Sequence, residues 1–164
     1  MSGSQKISAV IITKNAERTL GSCLDALRWV SEVIVLDSGS NDRTPDIASS
    51  KGVQFHVTNW HGFGRQKNMA IDLAQTEWIL SIDADEFVSP ELAAEISNLI
   101  HTKAESDIFE ISRISKYCGK EMRHSGWYPD YVARLFRRGT ARFSDSLVHE
   151  RLVFSGEPER LRHH

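Results

Sequence analysis

Trp78-Ile79-Leu80-Ser81-Ile82-Asp83-Ala84-Asp85-Glu86 is a short, mostly apolar run that stops abruptly at a group of carboxylates. Such a run is too short for a buried helix and suits a strand covered on both faces, the kind found in parallel sheets. The design recurs towards the N-terminus. Ile7 to Ile12, Glu32 to Leu36 and Val53 to Val57 are also short apolar runs followed by polar residues. Between the runs lie segments of helical period. Leu20, Leu24, Leu27 and Val30 form one stripe, Met69 and Leu73 with Ala70 and Ala74 mark a second, and Leu92, Ile96, Leu99 and Ile100 a third. Thr44-Pro45 and Ser89-Pro90 each read as an N-cap followed by the first helical residue, and Gly52 as a C-cap glycine. Strands alternating with helices predict an α/β fold, a Rossmann-like, mostly parallel sheet flanked by helices. After Lys103 the pattern changes to a smaller mixed region. It holds a strand over Ile108 to Ile114, an aromatic and basic stretch from Tyr117 to Phe143, and short strands at Tyr131 to Phe136 and Val148 to Phe154.

The 164 residues, 40% of them hydrophobic, suffice for one globular domain with a continuous core. Cys23 falls on an apolar helix face, and Cys118 has no Cys or His at metal-ligand spacing. Neither a disulfide framework nor a zinc site is expected, and a reducing, cytoplasmic setting follows. Met1 to Lys6 is short and polar, and Ile7 to Ile12 is too brief for a signal peptide. No stretch approaches the ~18 apolar residues of a membrane span. The net charge of -2 conceals an asymmetry: 9 basic against 16 acidic side chains up to Ser112, and 11 against 6 beyond it. The basic last third is either a solvated face or a surface for an acidic acceptor or anionic lipid headgroups. Nucleic acid is not expected as a partner, because the domain lacks strong overall positive charge.

In open parallel sheets ligands bind beyond the carboxyl ends of the strands, which directs attention to four exits. These are Thr13-Lys14-Asn15, Asp37 to Asp42, Trp60 to Asn68, and Asp83-Ala84-Asp85-Glu86. In a continuing strand Asp83 and Asp85 would point one way and Ala84 into the core. Two carboxylates side by side repel unless a cation lies between them, and hard oxygen ligands suit Mg²⁺ or Mn²⁺. A metal there would neutralise a departing diphosphate. The plainer alternative is an acidic loop capping the helix that starts near Pro90. Asp37 can accept from a base imide or close an Asx turn. Arg65 and Lys67 can contact phosphate or lie on the surface, and Asn15 can contact the ligand or cap the first helix. Trp60 and His61 can line a sugar pocket or close their loop.

Four such motifs in order resemble the family-two glycosyltransferases, inverting enzymes of the GT-A fold that use nucleotide-diphosphate sugars. Ile11-Ile12-Thr13-Lys14-Asn15 looks like the family's first nucleotide-contacting segment. Val33 to Thr44 is similar to its second motif, in which the residue matching Asp37 pairs with the base. Gln66-Lys67-Asn68-Met69-Ala70 resembles the segment whose basic residue approaches the nucleotide, and Trp78 to Glu86 carries the metal motif. The resemblance spans Ile7 to Val88, about half the chain. It implies nucleotide-sugar contacts at Thr13, Asn15, Asp37, Arg65, Lys67 and Asp83, with a metal on Asp83 and Asp85. It also implies one domain, its donor part over 1–112 and its acceptor part over 113–164. Inversion requires one carboxylate to take the acceptor hydroxyl's proton. Two are candidates: Asp130, in Gly126-Trp127-Tyr128-Pro129-Asp130, and Glu150, in Leu147-Val148-His149-Glu150, with Asp130 preferred. His149 can join the metal shell, orient a carboxylate or be structural.

From Ile7 to about Arg151 the chain looks most like bacterial glycosyltransferases of lipopolysaccharide inner-core assembly, which add a hexose such as glucose to a heptose. That implies a UDP-sugar donor, a saccharide or lipid-linked acidic acceptor, and peripheral contact with the inner face of the cytoplasmic membrane. Arginines among Arg134, Arg137 and Arg138 would then meet a phosphorylated acceptor. With Arg134 and Arg138 on one face of a strand and Arg137 on the other, at most two can serve one site. A solvated edge strand guarded by charge is the alternative. Relatives continue past His164, so the chain is expected to be truncated at its C-terminus or compact. Two other readings remain. A nucleotidyltransferase would place a glycine-rich phosphate loop after the first strand, but Thr13 to Leu20 has no glycine. A donor-binding module without catalysis would bind but not hydrolyse a UDP-sugar.

Overall fold

The computed structural model describes residues 6–102, 104–113, 116–117, 120–121, 130–146 and 149–164. The expectations for Cys118, for Ile114, and for the residues before Asp130 and His149 fall outside them. Strands β1 (Ile7–Thr13), β2 (Glu32–Asp37), β3 (Gln54–Val57) and β4 (Trp78–Ser81) alternate with helices α1 (Leu20–Asp25), α2 (Thr44–Ser50) and α3 (Phe63–Leu73). Helix α4 (Pro90–His101) precedes β5 (Ile108–Arg113), β6 (Lys116–Tyr117), β7 (Lys120–Glu121), β8 (Asp130–Arg137), β9 (Ala141–Phe143), β10 (Leu152–Phe154) and β11 (Glu159–Arg160). Seven strands form the main sheet in the order β11-β5-β8-β4-β1-β2-β3. All its pairings are parallel except those of β8, which runs against both β4 and β5. Strands β9 and β10 form a small antiparallel pair beside it.

Alternation along each strand divides the core in two. Ile7, Ala9 and Ile11 of β1 join Val35, Trp78 and Leu80 beneath Leu20, Cys23 and Leu24 of α1 and Leu92, Ile96 and Ile100 of α4. Val10, Ile34, Leu36, Ile79 and Phe136 face the other way, onto Ala70 and Ile71 of α3 and Ala141 and Phe143 of β9. The order of strands reverses around β1, so the crevice for a ligand lies past the carboxyl ends of β1 and its neighbours.

Several local expectations are corrected. Helix α1 ends at Asp25, and Leu27 and Val30 sit in i→i+3 turns whose N–H groups reach Leu24 and Leu27 at 3.0 and 3.2 Å. Thr44 is the first residue of α2 and does not cap it; its hydroxyl accepts from the Ala16 N–H, which ties the helix to the end of β1. Ser89 caps α4 as read, accepting from the Leu92 N–H, and Gly52 takes the positive φ of 68° that ends α2. In α3 Ala70 and Ala74 are buried as expected, but Leu73 is exposed, and Gln66, Lys67 and Asn68 are buried as well, so the covered side is part polar. Strand β8 carries a bulge, since Phe109 pairs with Leu135 but Glu110 pairs with Ala133. Arg134 is the extra residue, which shifts the alternation and separates its direction from the pattern expected for Arg138.

Part of the charge asymmetry is met within the chain. Arg134 pairs with Asp83 and Glu86, Arg137 with Glu77 and Asp107, Arg142 with Asp72 and Arg160 with Glu110. Four arginines of the basic last third thus face carboxylates of the acidic first part.

Candidate functional site

The exits of β1 and β2 are sewn together. Thr13 and Asp37 are register partners, and the Thr13 hydroxyl donates to Asp37 Oδ1 at 2.8 Å. Asp37 also accepts from the Ser40 hydroxyl at 2.6 Å and from the Ser40 and Gly39 N–H groups at 2.7 and 2.9 Å. Burial of this carboxyl opposes its ionisation, but the bonds from Ser40, Thr13 and Gly39 prevail and hold it below its usual value. Asp37 therefore closes an Asx turn, and a nucleobase would have to share its engaged oxygens. Asn15, at φ 50°, does not cap α1. Its N–H donates to Ser40 Oγ at 2.7 Å, and its Oδ1 accepts from the Asn41 N–H at 2.8 Å. Lys14 secures the same turn through the carbonyls of Ser38 and Gly39.

Helix α3 brings the third exit to the fourth. Gly64 lies so close to the Ser144 carbonyl that no Cβ fits between them. One turn on, Asn68 donates to the Phe143 carbonyl at 2.9 Å and accepts from the Phe143 N–H at 2.8 Å, completing that residue's backbone bonds as a strand would. These contacts fix Phe143 and Ser144 against α3. Lys67, between the two anchors, reaches Glu150 Oε1 at 2.8 Å and Asp83 Oδ1 at 3.4 Å, with its ammonium 5.0 Å from the Phe143 ring centroid. Gln66 is fully buried and accepts from the His61 N–H.

Strand β4 ends at Ser81, so Asp83 to Glu86 form a turn, with the Glu86 N–H on the Asp83 carbonyl at 3.0 Å, and do not continue the strand. Ala84 packs on the core as expected. The two aspartates diverge in environment: Asp85 is exposed and has no partner among the described residues, while Asp83 is drawn inward. The bulge in β8 aims Arg134 at this turn, 2.7 Å from Glu86 Oε1, 3.3 Å from Asp83 Oδ2 and 3.4 Å from the Ser81 carbonyl. Burial of Asp83 favours its neutral form, but Arg134 and Lys67 outweigh that and lower its pKa. Beneath the turn, burial and then the charges of Glu86, Asp85 and Asp83 push the Cys23 thiol up to about 12, which keeps it neutral.

Lys67, Asp83, Arg134 and Glu150 line one end of a cavity of about 380 Å³, whose apolar wall includes Tyr131, Phe143 and Phe154. Asp130 is not part of that lining. It starts β8, paired with Arg113, four residues or roughly 13 Å along the strand from Arg134. Arg65 is exposed, 3.9 Å from Asp145. His149 is exposed, and Trp60 stacks edge-on against Phe63 at 4.8 Å, both half-exposed. A larger groove of about 650 Å³ lies at the amino ends of β2 and β3, the wrong edge for this chemistry. Sequence patterning missed Arg134 as a partner of the acidic turn, and Asn68 as the clamp on Phe143. A bulge leaves no trace in alternation, and a buried polar helix face looks like a solvated one.

The acidic turn carries hard oxygen ligands of the kind that suit Mg²⁺ or Mn²⁺. Asp85 is uncommitted among the described residues, whereas the two oxygens of Asp83 face Lys67 and Arg134, so a metal there would share Asp83 with those cations. Among the described residues no group of three His, Cys, Asp or Glu side chains is close enough to cage an ion. Such ions are commonly held by one or two carboxylates together with substrate phosphates.

A mostly parallel sheet, with its polar exits gathered past β1 and β4 and a small antiparallel pair beside them, defines a GT-A type domain. The sequence pattern of "Glycosyl transferase family 2" matches residues 8–153, and the chain belongs to that family. It is 31% identical over 161 residues to the lipopolysaccharide core biosynthesis glycosyltransferase LpsC of Rhizobium meliloti, covering 92% of this chain and 58% of LpsC. An uncharacterized glycosyltransferase of Rickettsia typhi is 31% identical over 157 residues, 92% of this chain and 54% of that protein. The chain thus spans about half the length of the curated relatives it matches. Two solved structures share the fold. S. aureus TarS in complex with UDP-GlcNAc superposes with a TM-score of 0.63 at 22% identity, over 81% of this chain and 45% of that one. Glucosyl-3-phosphoglycerate synthase of Mycobacterium tuberculosis, in complex with Mn²⁺, UDP and glucosyl-3-phosphoglycerate, gives 0.55 at 22% identity, over 65% and 43%. Among the described residues no helix is long and apolar enough to cross a membrane.

Proposed function

We propose that the chain transfers a hexose, glucose by resemblance, from a UDP-sugar to a hydroxyl of a lipopolysaccharide-core or related saccharide, with inversion at the anomeric carbon. The observation that carries this is the convergence of Asp83, on the donor side, and Glu150, on the acceptor side, upon Lys67 in one cavity at the carboxyl edge of the sheet. Thr13, Asn15 and Asp37 would flank the nucleoside, and Arg65 and Lys67 the phosphates. Asp83 and Asp85 would hold Mg²⁺ or Mn²⁺, whose contribution is to neutralise charge on the leaving diphosphate.

The chain's own groups account for the rest. As the acceptor oxygen bonds to the anomeric carbon, the bond from that carbon to the diphosphate breaks, and the hydroxyl proton passes to a carboxylate on the opposite face. Of the two candidates, Glu150 lines the cavity shared with Asp83, and Asp130 does not; this supports Glu150. Lys67 and Arg134 supply fixed positive charge where the leaving group gains negative charge. The apolar wall of Tyr131, Phe143 and Phe154 suits one face of a sugar ring.

A panel of nucleotide sugars, each screened with Mn²⁺ for thermal stabilisation, tests the donor assignment. At 100-fold excess over Kd a donor stabilises by about 2.7 kcal/mol, or roughly 5–11 °C for a chain of this size. Stabilisation by UDP-sugars and slow hydrolysis of one of them are expected. Stabilisation by none would refute the assignment, and binding without hydrolysis or transfer would leave a donor-binding module.

A further inference from the structure

Lys67 is held from two directions. Its ammonium lies 2.8 Å from Glu150 and 3.4 Å from Asp83, and its side chain is only 8% exposed. If the transferase assignment is right, those carboxylates serve opposite halves of the reaction, so one cation joins the donor side to the base. The second cation of the cavity differs. Arg134 contacts Asp83 and Glu86, both on the acidic turn. Were Lys67 to swing towards a ligand, Asp83 would keep Arg134 as its counter-charge, whereas Glu150 Oε1 would lose the donor that occupies it. A lysine suits such an exchange, being a compact charge on a flexible stem with three rotatable donors.

We infer that Lys67 is a latch between the two half-sites. It occupies Glu150 while the donor site is empty. It moves to the phosphates when a nucleoside diphosphate arrives, and so releases Glu150 to accept a proton only after the donor is in place. The diphosphate wins the competition because it presents more negative charge than one carboxylate to an ammonium whose side chain is itself buried. Donor-first order is therefore built into one ion pair, which limits exposure of the acceptor to an empty site. The inference rests on the donor assignment proposed for this cavity.

The latch has a thermodynamic consequence that ordinary binding residues do not share. Opening the Lys67–Glu150 pair costs free energy in the unliganded chain, so removing the Glu150 charge should tighten donor binding. UDP is titrated calorimetrically, at fixed Mn²⁺, into the full chain, Glu150→Gln, Lys67→Gln and the double variant, each first checked for cooperative thermal unfolding. Glu150→Gln is expected to bind UDP about threefold to tenfold more tightly, the range of a partly buried ion pair. Lys67→Gln should bind more weakly, and the gain from Glu150→Gln should vanish in the Lys67→Gln background. Glu150→Asp, which withdraws the carboxylate by one methylene, should shift affinity in the same direction by less, and decides the matter if Glu150→Gln does not fold. Unchanged or weaker UDP binding by Glu150→Gln overturns the latch. A gain that persists without Lys67 also overturns it, because simple charge repulsion would then explain the effect. Failure of the unsubstituted chain to bind UDP overturns the donor assignment itself, a different result from either.

Discussion

Replacing Gly64 with alanine should damage the candidate site without touching a charged group. A Cβ at this position would overlap the Ser144 carbonyl oxygen, sit 3.0 Å from the carbonyl carbon and lie 3.6 Å from Glu150 Cβ. Carbon atoms in contact settle about 3.5–4.0 Å apart, so Ser144 must retreat by at least about 0.5–1 Å. Arg151, hydrogen-bonded to it through both its N–H and its carbonyl, must follow together with its neighbour Glu150. Overpacking of this kind costs about 1–3 kcal/mol. At ~2–4 °C per kcal/mol for a chain of this length, the melting temperature should fall by roughly 2–12 °C. The retreat also draws Glu150 from Lys67, now 2.8 Å away. A displacement near 1 Å at a reacting group can cost about 100-fold in rate. Thermal unfolding followed by circular dichroism measures the first effect, and initial rates of UDP-sugar turnover the second. UDP affinity should rise modestly, because a Glu150 withdrawn from Lys67 leaves the ammonium freer for the donor's phosphates. A Gly64→Ala chain that melts with the unsubstituted one and keeps its turnover would refute the packing argument and the role it gives Glu150.

Two further outcomes follow from the same geometry. Asn68→Ala leaves the Phe143 N–H and carbonyl without their partners; urea unfolding should show a loss of about 2–4 kcal/mol, from two buried groups left unsatisfied. Asp37, whose folded pKa lies below its usual value of about 4, contributes stability in full above that value and loses it as pH falls through the folded value. Asp37→Asn should therefore be less stable than the unsubstituted chain at pH 7, by about 1–3 kcal/mol, and should show a shallower acid limb in a pH series of urea melts. Parallel acid limbs would contradict the assignment.

Much of the fold could be read from the sequence because a few strong regularities specify it. The Ile/Val runs of β1, β2 and β4, the stripe of α4 and its Ser89-Pro90 start appear where the pattern places them. What could not be read depends on tertiary context. Leu27 and Val30 keep a helical stripe although the chain there tightens into turns, since either geometry buries them. Part of the buried face of α3 is polar because Asn68 serves as a partner for a distant backbone and Lys67 as counter-charge to Asp83 and Glu150, and neither role is local. The bulge at Arg134 depends on how β5 and β8 meet, so side-chain alternation in β8 could not reveal it. The candidate site was legible as a set of exits, with Lys67, Asp83 and Glu150 all named. Their meeting was not, because Glu150 lies 83 residues beyond Lys67.

The central claim, a donor site completed by metal at the acidic turn, is tested most directly by calorimetric titration of UDP into the intact chain and Asp85→Ala, each with and without Mn²⁺. Asp85 has no partner among the described residues, so its removal should leave the fold intact. The account predicts UDP binding that Mn²⁺ strengthens at least about tenfold, with most of that gain lost in Asp85→Ala. Binding that is indifferent to Mn²⁺ and unaffected by Asp85→Ala would contradict it.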